Sequence, residues 1–126
     1  MKQLLLLTGI VLTLGSFAYQ KDADNIVNAL KQGNANQFAG NFDNFLDIKL
    51  PEKDELKNVG KTQATITIKN FFDENAISGF DVSSQRENEG TMYLTGKLTG
   101  SSKIYSLTLL MKSRGDKLSI IKIRIS

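Results

Sequence analysis

Few side chains in this sequence can carry acid–base chemistry. The absence of histidine, cysteine and tryptophan excludes histidine-based proton transfer, cysteine nucleophiles, serine–histidine triads and most zinc sites. The remaining chemistry to consider is an aspartate base with a tyrosine as oxyanion donor, and Asp81 and Tyr93 are the residues on the predicted sheet that we consider for these roles. We expect Tyr93 on the strand face opposite Leu94 and Leu98, pointing away from any internal pocket. We therefore predict that the protein is not an enzyme, and an isomerase-like or hydratase-like activity is the weakest alternative.

Two acidic clusters are candidates for a cation site, one from Asp22 to Asn25 and one from Glu87 to Glu89. Neither has the spacing or the glycine of a calcium loop. Capping of a helix start explains the first cluster, and a solvated turn explains the second. We predict no metal ion and no cofactor.

The first eighteen residues are typical of a secretory signal peptide. Met1 and Lys2 supply a positive start, Leu4 to Leu14 is almost uninterruptedly apolar, and Ser16 to Ala18 resembles an export-peptidase site. The apolar run is shorter than the ~20 residues that a membrane span needs, so a cleaved signal is favoured over an anchor. Without cysteine there is no disulfide and no lipidated N-terminal cysteine. We expect residues 19–126 to form one soluble, non-lipidated domain in the periplasm or outside the cell.

The charges of the domain are nearly balanced. Without Lys2, fifteen basic residues face thirteen acidic ones, a net of about +2. They are interspersed along the sequence and form no basic stripe of the kind that phosphate backbones require. We expect a mixed, solvated surface and no nucleic-acid partner.

The first half of the domain predicts two helical pieces and a short strand. The first helix runs from Asp22 to Gly33, with Asp22 or Asp24 as its cap and Gly33 as its left-handed stop. A shorter helical piece follows from Asn34 to Ala39. Leu46 to Leu50 alternates like a strand, and Glu52 to Gly60 is polar enough for a surface loop. Three phenylalanines within eight residues of this stretch are expected in the core, namely Phe38, Phe42 and Phe45.

The segment from Lys61 to Asn75 fits either of two structures. Its β-branched run, Thr65 to Ile68, favours a strand. The spacing of Ala64, Ile68 and the Phe71–Phe72 pair instead places apolar residues on one face of a helix. Local pattern alone leaves both open.

The last third of the sequence predicts four antiparallel strands. Phe80 to Arg86 and Thr91 to Thr99 are the first two, and a hairpin around the turn Ser113 to Asp116 supplies the others. Facing Thr99 with Ile104 gathers the large apolar residues of the middle pair on one face. This register places Leu98 opposite Tyr105, Leu94 opposite Leu109, and Met92 opposite Met111. After the last turn, Ile121, Ile123 and Ile125 are expected to share the apolar face. The turn also contains Arg114-Gly115-Asp116, the tripeptide that animal integrins recognise, but glycine and aspartate are ordinary turn residues.

The order of these segments resembles a family of small exported bacterial domains of unknown function, DUF4783, within the nuclear transport factor 2-like superfamily. The residues that carry the resemblance are Leu46 to Pro51, Lys61 to Ala64 leading to Phe71-Phe72, and the closing stretch around Gly115-Asp116. The resemblance implies an α+β, cystatin-like or nuclear transport factor 2-like cone. In it, N-terminal helices pack on a curved antiparallel sheet of about four long strands plus a short one. It also implies a helix from Lys61 to Asn75, which we adopt.

Such a cone has two surfaces that could bind a ligand or partner. A pocket between helices and sheet would be lined by apolar residues, for which our candidates are Phe42, Phe45, Phe72, Leu94, Tyr105 and Leu109, although a filled core is the alternative for all six. The convex face would present Tyr93, Ile104 and Leu110, and also Leu118 and Ile120 if the last turn has three residues. This face suggests a partner surface, with a homodimer as one hypothesis.

We predict from these features an exported, non-enzymatic binding domain for a small apolar ligand or a partner protein. The alternative is a structural or assembly component of the cell envelope that acts through its convex sheet face.

Overall fold

Helices cover one face of a curved, unclosed sheet of six strands in the computed structural model, which describes residues 20–126. The helices are α1 (described over residues 20–31), α2 (Ala35–Ala39) and α3 (Lys61–Glu74). The strands are β1 (Phe42–Lys49), β2 (Leu56–Gly60), β3 (Gly79–Asn88), β4 (Thr91–Thr99), β5 (Ile104–Arg114) and β6 (Lys117–Ile125). The predicted signal peptide, residues 1–18, lies outside the described residues. Among residues 20–126, no helix combines the length and apolarity needed to cross a bilayer.

The sheet confirms the predicted α+β architecture and refines it in two respects. Its strand order is β2-β1-β6-β5-β4-β3, and β1 runs parallel to β6 while the other neighbours are antiparallel. The second difference is β2, which lies where a surface loop was predicted. Its first three residues are exposed, so no apolar alternation marks it in the sequence. Pairing with β1 is what makes it a strand.

Helix α1 buries the predicted apolar face and ends at the predicted residue. Ala23, Ile26 and Leu30 are fully buried. Gly33 has φ +64°, and the next amide, that of Asn34, donates to the Ala29 carbonyl at 2.9 Å, as in a glycine-terminated helix. The predicted cap is wrong, because the helix already includes residue 20.

The helical alternative for Lys61 to Asn75 is confirmed by α3. A helix buries Ala64, Ile68 and both phenylalanines while leaving Ile66 48% exposed, whereas a strand would place Ile66 on the same face as Ala64 and Ile68. Gly60 is the N-cap residue and provides no side-chain cap. The β-branched residues are accommodated because the Thr65 hydroxyl donates to the Lys61 carbonyl, one turn back, at 2.7 Å.

The predicted pairing of β4 with β5 is confirmed at every residue pair named above. The last strand differs from the prediction. Ile120, Ile123 and Ile125 are buried, whereas Ile121 is only partly buried at a register shift opposite Leu110 and Met111. An extra residue in one strand reverses the side-chain alternation beyond it.

The length of the last turn corrects the predicted convex face. Arg114 pairs with Lys117 across a two-residue turn, Gly115-Asp116. The three-residue turn that would have put Leu118 and Ile120 on the convex face is therefore wrong, and both residues are buried in the core.

Aromatic side chains fill the space between the helices and the sheet. The ring of Phe38 stacks on that of Phe72 with centroids 5.9 Å apart and meets Phe42 edge-on at 5.2 Å. Phe45 is the exception, at 57% exposed, so its expected place in the core is wrong. Because β1 begins at Phe42, four residues before the predicted strand, alternation turns Phe45 to the opposite side of the sheet from Phe42 and Leu46.

Candidate functional site

The structure keeps the two candidates for acid–base chemistry apart. Asp81 pairs with Lys97, and Tyr93 pairs with Arg86. Lys97 and Tyr93 are four residues apart on β4, so about 13 Å of strand separates the two candidates. A catalytic acid–base pair acts on one substrate within hydrogen-bond reach, and both side chains are on exposed positions of the sheet. This geometry provides no shared site for Asp81 and Tyr93.

The two acidic clusters take up different structural roles. The Asp22 carboxylate accepts a hydrogen bond from the Leu118 amide at 3.0 Å, which joins α1 to β6. Asp24 accepts from the Gln20 side chain one turn earlier at 2.8 Å. Glu87 and Asn88 are the last two residues of β3, and Glu89 lies in the following turn with φ +46°. Within residues 20–126, the structure contains no group of three acidic residues arranged to hold a metal ion.

Five of the six candidate pocket residues lie in the packed interior. Leu94 and Leu109 are fully buried and face each other across β4 and β5. Phe42 and Phe72 are 4% and 3% exposed, and Tyr105 is 8% exposed. The sixth, Phe45, lies on the opposite side of the sheet.

That opposite side is the surface with the most exposed large apolar side chains on the sheet, and we call it the outer sheet face. Ile104 is 68% exposed, Phe45 57% and Tyr93 47%. Strand register places Tyr93 beside Leu110, which is partly buried. Ile121, at the register shift, lies opposite the stretch of β1 that contains Phe45. The prediction that Tyr93, Ile104 and Leu110 share this face is confirmed.

A hydroxyl-rich patch separates the Tyr93–Leu110 pair from Ile104. Thr95 lies opposite Thr108, and Thr108 lies opposite Arg124 on the next strand. Lys97 lies opposite Ser106 and donates to its hydroxyl at 2.8 Å. The Ser84 and Thr95 hydroxyls, 2.6 Å apart, extend this patch towards the edge strand β3. The outer sheet face therefore has a polar, cationic centre with exposed apolar residues on either side of it.

Basic and acidic residues are interspersed in the sequence, but the fold places an excess of basic side chains on the outer sheet face. Strand register and two ion pairs assign eight basic and four acidic side chains to the outer sheet face. The basic ones are Lys49, Arg86, Lys97, Lys112, Arg114, Lys117, Lys122 and Arg124, and the acidic ones are Asp43, Asp47, Glu55 and Asp81. The rest of the described chain carries seven basic and nine acidic residues. The outer sheet face is thus net positive by about four charges, while the remainder is net negative by about two.

Several of these cations have no acidic partner. Lys122 lies 3.7 Å from Glu55, and Lys49 donates to the Leu50 carbonyl at 2.8 Å. Within residues 20–126, no carboxylate lies within salt-bridge distance of Lys97, Lys112 or Arg124. Sequence reasoning missed this feature because it counted charges along the chain. The predicted register of the β-meander contained the signal, since Lys97 and Lys112 alternate with the apolar residues assigned to the core.

Comparisons with known proteins identify relatives of this fold. A family model described as "Domain of unknown function (DUF4783)" matches residues 23–126, and no curated protein matches the chain. A DUF4783 family protein from Bacteroides ovatus is similar in structure, with a TM-score of 0.75 and 23% identity over 80% of this chain and 90% of that one.

Two more distant structures share the architecture. An NTF2-like protein from Cytophaga hutchinsonii has a TM-score of 0.59 at 10% identity, over 85% of this chain and 87% of that one. A cystatin-fold protein from Novosphingobium aromaticivorans has a TM-score of 0.62 at 10% identity, over 84% of this chain and 95% of that one. These likenesses identify the fold, and the family model covers nearly all the described residues. The chain therefore belongs to the DUF4783 family of domains of unknown function and has an NTF2-like, cystatin-like fold.

Proposed function

We propose that this DUF4783 domain is an exported, non-enzymatic binding module that engages a partner protein through its outer sheet face. The observation that carries the proposal is the exposure of Phe45, Tyr93 and Ile104 on that one face. Tyr93 and the neighbouring Leu110 form an apolar cluster of the kind found at interaction sites, and Phe45 and Ile104 extend the apolar surface on the same face. Aromatic residues in particular serve as interface anchors, because they bury large area at small cost in side-chain entropy.

The packed interior favours this surface over a pocket for a small apolar ligand. Phe38, Phe42 and Phe72 pack against one another, and Tyr105 packs edge-on against Phe71 at 5.2 Å. A ligand among the candidate lining residues would have to displace these contacts, and protein cores resist such changes in volume. The outer sheet face needs no rearrangement before a partner binds.

Export is part of the proposal because of the N-terminal sequence pattern. A positive start, an apolar run and small residues before Tyr19 are typical of a cleaved signal. A partner would then be met in the periplasm or outside the cell, where it could be an assembly component of the cell envelope. A second copy of this chain is another partner that this face could bind.

Site-specific photo-crosslinking in the native host tests the proposed surface. A photoreactive amino acid replaces Tyr93 or Ile104 on the outer sheet face. The matched control is the same substitution at Ile66, which is 48% exposed on α3 on the helix side. We expect the outer-face positions to form a discrete crosslinked species and Ile66 to form none.

Two results would contradict the proposal. One is crosslinking of equal yield from Ile66 and from the outer-face positions, which would indicate random collisions. The other is native mass spectrometry of protein from its own host that detects a retained small apolar molecule, since this would favour an internal ligand site.

A further inference from the structure

We infer that the occupant of the outer sheet face is an acidic protein surface, distinct from a second copy of this chain. The inference rests on the proposed function and names the chemistry of the partner. Its basis is the set of cations on that face that form no ion pair with a carboxylate of residues 20–126 and lie among its apolar residues. Lys97, Lys112 and Arg124 lie on three adjacent strands, β4, β5 and β6.

Binding would remove water from these cations. Covering a charge without supplying a partner is costly, because the desolvation is uncompensated. Arg124 is separated from Lys97 by only one intervening strand, and the residues between them are hydroxyl-bearing, Thr95, Ser106 and Thr108. Among residues 20–126, Asp81 lies opposite Lys97 on β3 but forms no ion pair with it, and no carboxylate lies opposite Lys112 or Arg124. A partner therefore has to bring the carboxylates itself.

The charges disfavour a second copy as that partner. A two-fold homodimer places the same surface patch of each subunit against the other. Here that would bring together two faces that each carry about four net positive charges, and like charges facing each other weaken association. The homodimer suggested by the apolar residues alone is therefore the less favoured occupant.

The positions of the apolar residues disfavour a flat anionic membrane. Ile104 lies six residues along β5 from Leu110, or about 20 Å. Phe45 lies on β1, two strands away across the curved sheet. A plane meets only part of a convex surface, so it would leave some of these side chains uncovered. A protein surface can follow the curvature and present carboxylates between apolar contacts.

The test uses the processed protein, purified from its host, and fluorescent synthetic polypeptides as probes. A glutamate–tyrosine random copolymer supplies carboxylates and aromatic contacts, and polyglutamine is the uncharged reference. The test variant is Lys97→Glu combined with Arg124→Glu. The matched control, Lys31→Glu combined with Lys69→Glu, changes the net charge equally at exposed positions of α1 and α3. Circular dichroism establishes that both variants remain folded.

We expect the copolymer to bind and polyglutamine not to bind. Reversal at Lys97 and Arg124 should weaken copolymer binding about tenfold, and the helix-side control should weaken it by about twofold or less, since exposed charges act mainly over short distances. Added salt should weaken binding by the unmodified protein and have a smaller effect on the outer-face variant. Lys97→Arg with Arg124→Lys, which retains the charges, should restore most of the affinity.

Four results would overturn the inference. The first is no copolymer binding, and the second is equal loss in the two reversal variants. The third is that phosphatidylglycerol vesicles bind the protein through Lys97 and Arg124 while the copolymer does not bind it. The fourth is sedimentation showing a dimer that the Tyr93→Ser substitution dissociates. A protein that crosslinks to Tyr93 but binds both reversal variants equally would contradict only the acidic chemistry. Absence of any crosslink would contradict the proposed function itself.

Discussion

The phenol of Tyr105 donates a hydrogen bond to Asn75 Oδ1 at 2.8 Å and so joins β5 to the end of α3. Asn75 also donates from its side chain to the Phe71 carbonyl at 2.9 Å, and its own carbonyl accepts from the Ser101 amide at 2.9 Å. One residue thus connects a helix terminus, the β4–β5 turn and the sheet. Tyr105 is only 8% exposed, so we assign its hydroxyl a structural role, the hydrogen bond to Asn75.

Tyr105→Phe should therefore lower stability without disturbing the packing of the ring. The substitution removes one hydrogen bond at a largely buried site, and we expect a loss of about 1 kcal/mol in the free energy of unfolding. Urea unfolding followed by circular dichroism measures the change. Tyr93→Phe on the exposed face is the control and should change the free energy by less than about 0.5 kcal/mol. Equal effects at the two tyrosines would contradict the role given to Asn75.

Gly33→Ala should be among the more harmful small substitutions in the chain. Gly33 has φ +64°, and an added Cβ would lie 2.0 Å from the carbonyl oxygen of Ile77. Gly115 is a suitable control, because it has nearly the same φ, +65°, but open space around it. We expect about 1 kcal/mol of destabilisation at Gly115 from the left-handed backbone alone and at least about twice that at Gly33. Thermal unfolding that ranks the two variants equally would show that Ile77 moves aside freely.

The sequence predicts most of the meander because alternation there is local and regular. Leu94, Leu109 and their neighbours specify both the core face and the register, since a slip by one residue would expose them all. The sequence does not predict the bulge at Ile121, because Leu118, Ile120, Ile121, Ile123 and Ile125 are all apolar and fit more than one alternation. Nor does it reveal β2, whose exposed residues carry no pattern. The exposed position of Phe45 depends on where β1 begins, and strand ends are poorly marked by composition.

The bulge can be tested by comparing two adjacent isoleucines. Ile120 is fully buried, while Ile121 is only partly buried. Ile120→Ala should cost about 3 kcal/mol, because it leaves a cavity in the core, and Ile121→Ala should cost about 1 kcal/mol or less. Chemical denaturation of the two variants measures the difference. A larger loss of stability at Ile121 than at Ile120 would contradict the bulge and support the regular alternation expected from the sequence, in which Ile121 faces the core.

Export can be tested on the protein as its host makes it. If the signal is cleaved after Ala18, N-terminal sequencing of the recovered protein should begin at Tyr19, and fractionation should find it outside the cytoplasm. Replacing Leu6 and Leu7 with lysine would interrupt the apolar run and should leave an unprocessed precursor inside the cell. Recovery of a chain that retains Met1 outside the cytoplasm would contradict cleavage, and a processed chain in the cytosol would contradict export.

Substitutions at Phe45 and Phe42 can distinguish an effect on partner binding from an effect on folding. They lie three residues apart on β1, one 57% exposed and the other 4% exposed. Phe42→Ser should destabilise the domain by about 3–5 kcal/mol, because it removes a core aromatic and its edge contact with Phe38. Phe45→Ser should leave the unfolding midpoint nearly unchanged but reduce the yield of the species crosslinked at Tyr93, since an exposed aromatic contributes to partner affinity and little to folding. Unfolding and crosslinking of the same preparations provide both readouts. A loss of stability at Phe45 with unchanged crosslinking would mean that this side chain supports the sheet and takes no part in binding.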